Sequence, residues 1–171
     1  MVTTSLPMTR RRARTTVVAV FSTRTAALPT DIGLVAARTV LAWIFIYYGG
    51  GKLFGWFHGL GIHGTALYFS NTAHLHPGGF FAVLGGVTEF GGGIAIALGF
   101  GTRLVGLALF ADMVMAMITV TWATGLNSQT SPPGYQLNLA VGVLALVVAV
   151  FGAGRLSVDA LIERRIAVMK A

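Results

Sequence analysis

Residues 79–100 read GFFAVLGGVTEFGGGIAIALGF, and the only charge in this run is Glu89. About 20 apolar residues, rising 1.5 Å each in a helix, cross the hydrocarbon of a bilayer. The run has that length, and it lacks the alternation of a half-buried strand. The same pattern extends on both sides. Between Lys52 and Arg103 the only charge is Glu89, and between Arg103 and Arg155 the only charge is Asp112. Four spans are predicted, at 32–51, 79–100, 104–122 and 137–153. The first contains Arg38, the second Glu89, the third Asp112, and the fourth no charge. The chain is 55% hydrophobic and 10% charged, with mean hydropathy +0.78. Soluble domains carry roughly 25% charged residues, so a soluble enzyme is excluded, and so is intrinsic disorder. The 23 glycines would weaken helices in water, but membrane helices use them for close packing. The fold class is all-α, an integral membrane four-helix bundle.

The net charge of +7 belongs to the connections. The amino-terminal tail carries Arg10, Arg11, Arg12, Arg14 and Arg24, the turn between spans two and three carries Arg103, and the carboxy-terminal tail carries Arg155, Arg164, Arg165 and Lys170. The connections 53–78 and 123–136 have no Lys or Arg. With four spans all three basic segments fall on one side, so both termini are expected in the cytoplasm. Residues 1–28 read as a basic flexible cytoplasmic tail, 29–157 as the membrane domain and 158–171 as a cytoplasmic tail. The tail's charge is explained by retention at the inner face, not by nucleic acid. Its apolar stretch Val17-Val18-Ala19-Val20-Phe21 is too short for a secretory signal. There is no internal repeat, and no cysteine for thiol, disulfide or Cys-ligated metal chemistry.

Ionisable groups at membrane depth are costly, so they face the bundle interior and find partners. Arg38, Glu89 and Asp112 are expected to meet there. One cation against two acids implies either a protonated acid or a further cation. Arg38, Phe45 and Lys52 share a helix face. Lys52 lies about 21 Å from Arg38 along the axis, so it is placed at the outer mouth, outside the cluster. Small residues surround the acids: Gly85, Gly86, Gly92 and Gly93 near Glu89, and Ala108 and Ala116 near Asp112. Asn138 and Gly142 lie on a similar stripe of the fourth span. Two readings stay open: a polar clamp of Arg38, Glu89, Asp112 and Asn138 that fixes helix packing, or a ligand, proton or cofactor site at the same cluster.

The connection after the first span, from Leu53 through Trp56 and Phe57 to Thr65, is apolar and aromatic. It reads as an interfacial belt with a re-entrant or surface-lying segment, or as a lid over a cavity. The four histidines, His58, His63, His74 and His76, all fall in this region without an acid to complete a metal site. They are weak metal candidates, and no metal is expected. Gly91-Gly92-Gly93 lies inside an apolar helix and is no phosphate cradle.

The run Tyr48-Gly49-Gly50-Gly51-Lys52-Leu53-Phe54-Gly55-Trp56-Phe57, followed by Gly64-Thr65, resembles the first signature of the DoxX family of small bacterial four-helix membrane proteins. Arg38 early in the first span, Glu89 with Gly92, Thr102-Arg103-Leu104, Gly134-Tyr135-Gln136-Leu137-Asn138-Leu139 and Gly154-Arg155-Leu156-Ser157-Val158-Asp159 extend the resemblance over about 30–165. Some relatives are described as subunits of thiosulfate:quinone oxidoreductase. Another is described as the membrane anchor of an oxidative-stress complex with superoxide dismutase and a sulfurtransferase. Related four-helix families include cargo receptors and chaperones. The resemblance implies a multi-pass protein of the bacterial cytoplasmic membrane. It would be a subunit of a redox assembly, with quinone as the candidate cofactor and redox subunits, the bilayer and further copies of itself as candidate partners. Lys52 and Arg38 would then offer charge and hydrogen bonds, Glu89 and Asp112 would accept protons, and Tyr48, Trp56 and Tyr135 would wall the cavity. The alternative is a non-enzymatic scaffold, chaperone or small-solute carrier. On its own the chain is not a complete redox enzyme.

Overall fold

A computed structural model describes residues 28–127 and 129–169. The basic tail expected over 1–28 lies outside these residues, apart from Leu28, which opens the first helix. Among the described residues there is no strand. The helices are α1 (Leu28–Phe54), α2 (Gly61–Asn71), α3 (Gly78–Leu98), α4 (Thr102–Ala116), α5 (Gln136–Phe151) and α6 (Val158–Val168). A 3-10 turn, Trp56–His58, follows α1. α4 runs on through a π turn, Met117–Thr121, and a 3-10 turn, Trp122–Thr124.

Three segments are long and apolar enough to cross a membrane: Pro29–Phe54, Gly78–Leu98 and Thr102–Thr124. The predicted fourth span corresponds to α5, a shorter apolar helix of 16 residues. The buried core joins Leu41 and Phe45 of α1, Ile96 of α3, Leu109 of α4, and Val141, Ala145 and Val148 of α5. The faces turned away from this core are apolar too. Trp43 is 77% exposed, and Leu104, Ile118 and Val150 are exposed as well. A helix hydrophobic all round has no watery side to present, which suits lipid.

Glycine sets the closeness of the α1–α3 seam. A Cβ on Gly49 would collide with the Phe90 backbone, and one on Gly93 would lie 3.0 Å from the Ile46 nitrogen. Gly49→Ala is therefore expected to open the seam and destabilise the protein by about 1–3 kcal/mol, read as a lower Tm in detergent. Gly33→Ala is the control, because a Cβ there meets nothing within 4 Å. A Tm drop no larger than that of Gly33→Ala would refute the seam.

One end of the bundle is tied by charged side chains that serve backbone groups. α3 ends at Gly99, whose φ of 67° suits glycine. The Asp159 carboxylate accepts from Gly101 N (2.7 Å) and Thr102 N (3.0 Å), so it caps the start of α4. Asp31 Oδ1 accepts from Arg155 N at 2.9 Å. The start of α1, the α3–α4 turn and the α5–α6 connection thus meet at this end, together with Arg103 and Arg155. Two elements go beyond the sequence reading. Residues 158–171 were expected only as a tail, but α6 forms there, with Ser157 Oγ accepting from Ala160 N at 3.2 Å. Within 53–78 the helix α2 folds back against α3, and Thr65 Oγ1 donates to the Lys52 carbonyl at 3.3 Å.

Candidate functional site

The expected meeting of Arg38 with Glu89 and Asp112 does not occur. Arg38 belongs to the tied end. Its Nε donates to Ile96 O at 2.9 Å and its Nη2 to Ala97 O at 2.9 Å. Its Nη1 donates to Ala153 O at 2.7 Å and Leu156 O at 3.0 Å. The carbonyls at a helix end have no intrahelical donor and carry partial negative charge. A guanidinium with five N–H donors in a fixed fork suits several of them at once. Arg38 is a buried staple and lines neither of the cavities described below.

Lys52 takes the place expected of Arg38. Its Nζ lies 2.6 Å from Glu89 Oε1, with Lys52 26% exposed and Glu89 2% exposed. Lys52 is therefore inside the polar cluster and not merely at a mouth. Two features explain the correction. α1 continues past 51 to Phe54, so Lys52 is a helical residue. Side chains on a helix lean toward its amino terminus, so the long lysine stem carries Nζ back into the bundle. Two glycines of the preceding triplet make room for neighbours, Gly49 for Phe90 and Gly50 for the Trp56 ring, while Gly59 lacks the Cβ that would collide with Gly51.

The ion pair opens on a cavity of about 690 Å³ between the α1–α2–α3 group and the α4–α5 pair. Ile44, Phe45, Phe81, Leu84, Met115 and Leu137 give apolar walls, while Lys52, Glu89, Asp112 and Asn138 give the polar part. Leu84, Met115 and Leu137 are exposed, so the rim of the cavity meets the surroundings of the bundle. Asp112 approaches α3 beside Glu89: its Oδ1 would lie 3.8 Å from a Cβ on Gly85, one turn before Glu89. If both groups were ionised, Glu89 Oε2 and Asp112 Oδ2 would be buried without a donor. The π turn supplies Thr119, Val120 and Thr121 to the same wall. Such turns are frequent at functional sites.

The predicted aromatic wall is only partly there. Tyr48 lines the cavity. Trp56 instead lines a second space of about 320 Å³, where Phe57, His58, Leu60 and Thr65 also sit. It is held against Phe54 (4.9 Å) and Phe90 (5.7 Å). Tyr135 stacks on Trp122, ring centres 5.3 Å apart, and does not line the cavity. Tyr68 and Phe69 of α2 line both spaces and were not singled out from sequence. The spacing of Thr65, Tyr68, Phe69 and Thr72 is helical, and that was the available signal. His58, His63, His74 and His76 are all exposed. Among the described residues no three potential metal ligands come together.

A helical membrane protein with an ion pair and a second acid facing an interior cavity is the class these features define. Comparison with known proteins makes it specific. A model of the DoxX family matches residues 33–122. Inner membrane protein YqjF of Escherichia coli (strain K12) is 31% identical over 137 residues, which is 79% of this chain and 95% of that protein. No solved structure matches. The chain belongs to the DoxX family.

Proposed function

We propose that this protein is a four-span subunit of a bacterial inner-membrane redox assembly, and that its interior cavity holds a quinone or a similar small molecule. Both termini lie in the cytoplasm. The orientation rests on Arg103, Arg155, Arg164 and Arg165, which belong to segments at or following the tied end. α5 is the fourth span: its 16 residues cover about 24 Å at helical rise, and the helix stops at Gly152, whose φ is 82°. The inner-membrane placement is supported by the relative YqjF, an inner membrane protein.

The observation that carries the ligand reading is the cavity itself. Its volume of about 690 Å³ lies within the usual range for small-molecule sites, which are mostly apolar with a few convergent polar groups. Lys52 would donate a hydrogen bond to a ligand oxygen. Glu89 and Asp112 would exchange protons with it, and the apolar walls would hold the ring and tail. With no cysteine in the chain, electrons would come from a partner subunit. The test is a titration of the protein, in mild detergent, with ubiquinone-1 and menadione, followed by tryptophan fluorescence. Saturable binding is expected, and it should be lost when Ala111→Phe fills the cavity. A flat titration with both quinones, together with no quinol formed from thiosulfate with any co-purifying partner, would overturn the reading.

A scaffold reading is favoured by one observation. Arg38 spends all its hydrogen bonds on backbone carbonyls, so at least one intramembrane charge serves packing. The behaviour of Glu89 separates the two readings.

A further inference from the structure

Two spaces meet at Lys52. The interior cavity and the second space, a vestibule, share Tyr48, Lys52, Tyr68 and Phe69 in their walls. Lys52 is part of this partition: its ammonium is in contact with the deeply buried Glu89, yet its side chain keeps 26% exposure. Behind Glu89 stands Asp112, which lines the same cavity and whose Oδ1 would lie 3.8 Å from a Cβ on Gly85, one turn before Glu89 on α3. A carboxyl can donate a hydrogen bond only when it carries a proton. One proton turns the two orphaned oxygens, Glu89 Oε2 and Asp112 Oδ2, into a donor and an acceptor. It also brings the group of one ammonium and two carboxyls to net zero, which a site at membrane depth favours.

We propose that Glu89 and Asp112 share one exchangeable proton, and that Lys52 passes it between the interior cavity and the vestibule. The inference goes beyond ligand binding and does not depend on a quinone. In the outward direction Lys52 breaks one Nζ–H bond and gives that proton to vestibule water. It then takes the shared proton from the acid pair through Glu89 and regains its charge. One H⁺ has moved outward, and the pair is left with both carboxylates ionised. The inward direction is the reverse and refills the pair. The neighbours on every side fit this route. α1 offers Tyr48, α2 offers Tyr68, and α5 offers the neutral Asn138. On the vestibule side stand Tyr47 and His58. Among the described residues lining either space, Lys52, Glu89 and Asp112 are the charged groups, and only Lys52 of the three lines both.

The test is infrared spectroscopy of the full chain in lipid nanodiscs, following H₂O-to-D₂O exchange with no quinone present. The wild-type protein is expected to show a protonated-carboxyl band that Asp112→Asn removes. Lys52→Arg keeps the charge and the pairing, but arginine does not give up its proton. It should retain the band and slow its exchange at least tenfold. Leu60→Trp, at an exposed position in the vestibule wall, provides a second variant that leaves the ion pair untouched, and it should slow exchange as well. A protein without the band, or with wild-type exchange in both variants, would overturn the proposal. Failure of quinone binding alone would leave these results unchanged.

Discussion

Arg38→Gln is expected to yield a protein that does not survive purification as a single species. Four backbone carbonyls, at Ile96, Ala97, Ala153 and Leu156, accept from Arg38. Glutamine offers one NH₂ group and a shorter reach. Ile96 O keeps the Gly99 N–H at 3.1 Å, and each of the other three acceptors left without a donor costs about 1–3 kcal/mol. Their sum is a large part of the stability of a domain, about 5–15 kcal/mol. Arg38→Lys keeps the charge but presents a compact ammonium in place of a planar fork, so an intermediate loss is expected. Thermal unfolding in dodecylmaltoside, read by size-exclusion chromatography, ranks the three proteins. If Arg38→Gln melts within a few degrees of wild type, the staple is not holding this end together.

The second large effect is at the other end of α1. Lys52→Met would leave Glu89, only 2% exposed, facing Asp112 without a cation. Removing one partner of a buried pair costs about 3–5 kcal/mol, whereas replacing both is often near neutral. The single variant is therefore expected to lower Tm sharply, and Lys52→Met combined with Glu89→Gln to recover most of the loss. Glu89→Gln alone keeps shape and volume and should stay folded. If that variant binds no quinone, the carboxyl serves the ligand. If it instead collapses while wild-type protein shows no ligand, the charge serves packing and the scaffold reading stands. An additive double variant, no more stable than the sum of its parts, would show that the 2.6 Å contact contributes nothing.

The three long apolar helices were legible because a bilayer excludes charge, and the gaps between Lys52, Arg103 and Arg155 mark apolar helices directly. Partnership among the intramembrane charges was harder to read. Depth counted from span ends treats each helix as equally long and upright. α1 instead runs to Phe54, and its two basic residues serve different ends: Arg38 the carbonyls of α3 and of the α5–α6 connection, Lys52 the acid on α3. Sequence shows which charges need partners but not which helix turns end beside them. α2 was missed for a related reason. Its polar residues His63, Thr65, Ser70 and Asn71 are scattered among apolar and aromatic ones, so the segment resembled a belt. The start of α6 carried a legible cap in Ser157, yet its mixed charge resembled a solvated tail. The DoxX signature was specific because its glycines fit particular neighbours, as Gly49 does at Phe90.

The Arg38 staple also sets an order of events during synthesis. Its partners on α3 lie 58 and 59 residues downstream, and those beyond α5 lie 115 and 118 residues downstream. The first helix therefore enters the membrane with a guanidinium that has no native acceptor. It gains half of its acceptors when the α3 end emerges and the rest only when the chain has passed Leu156. Until then an insertase or the headgroup region must shelter the charge. Closure of the bundle is in effect a check that α5 has arrived, and a ribosome halted before Ala153 would leave a half-latched chain open to quality-control proteolysis.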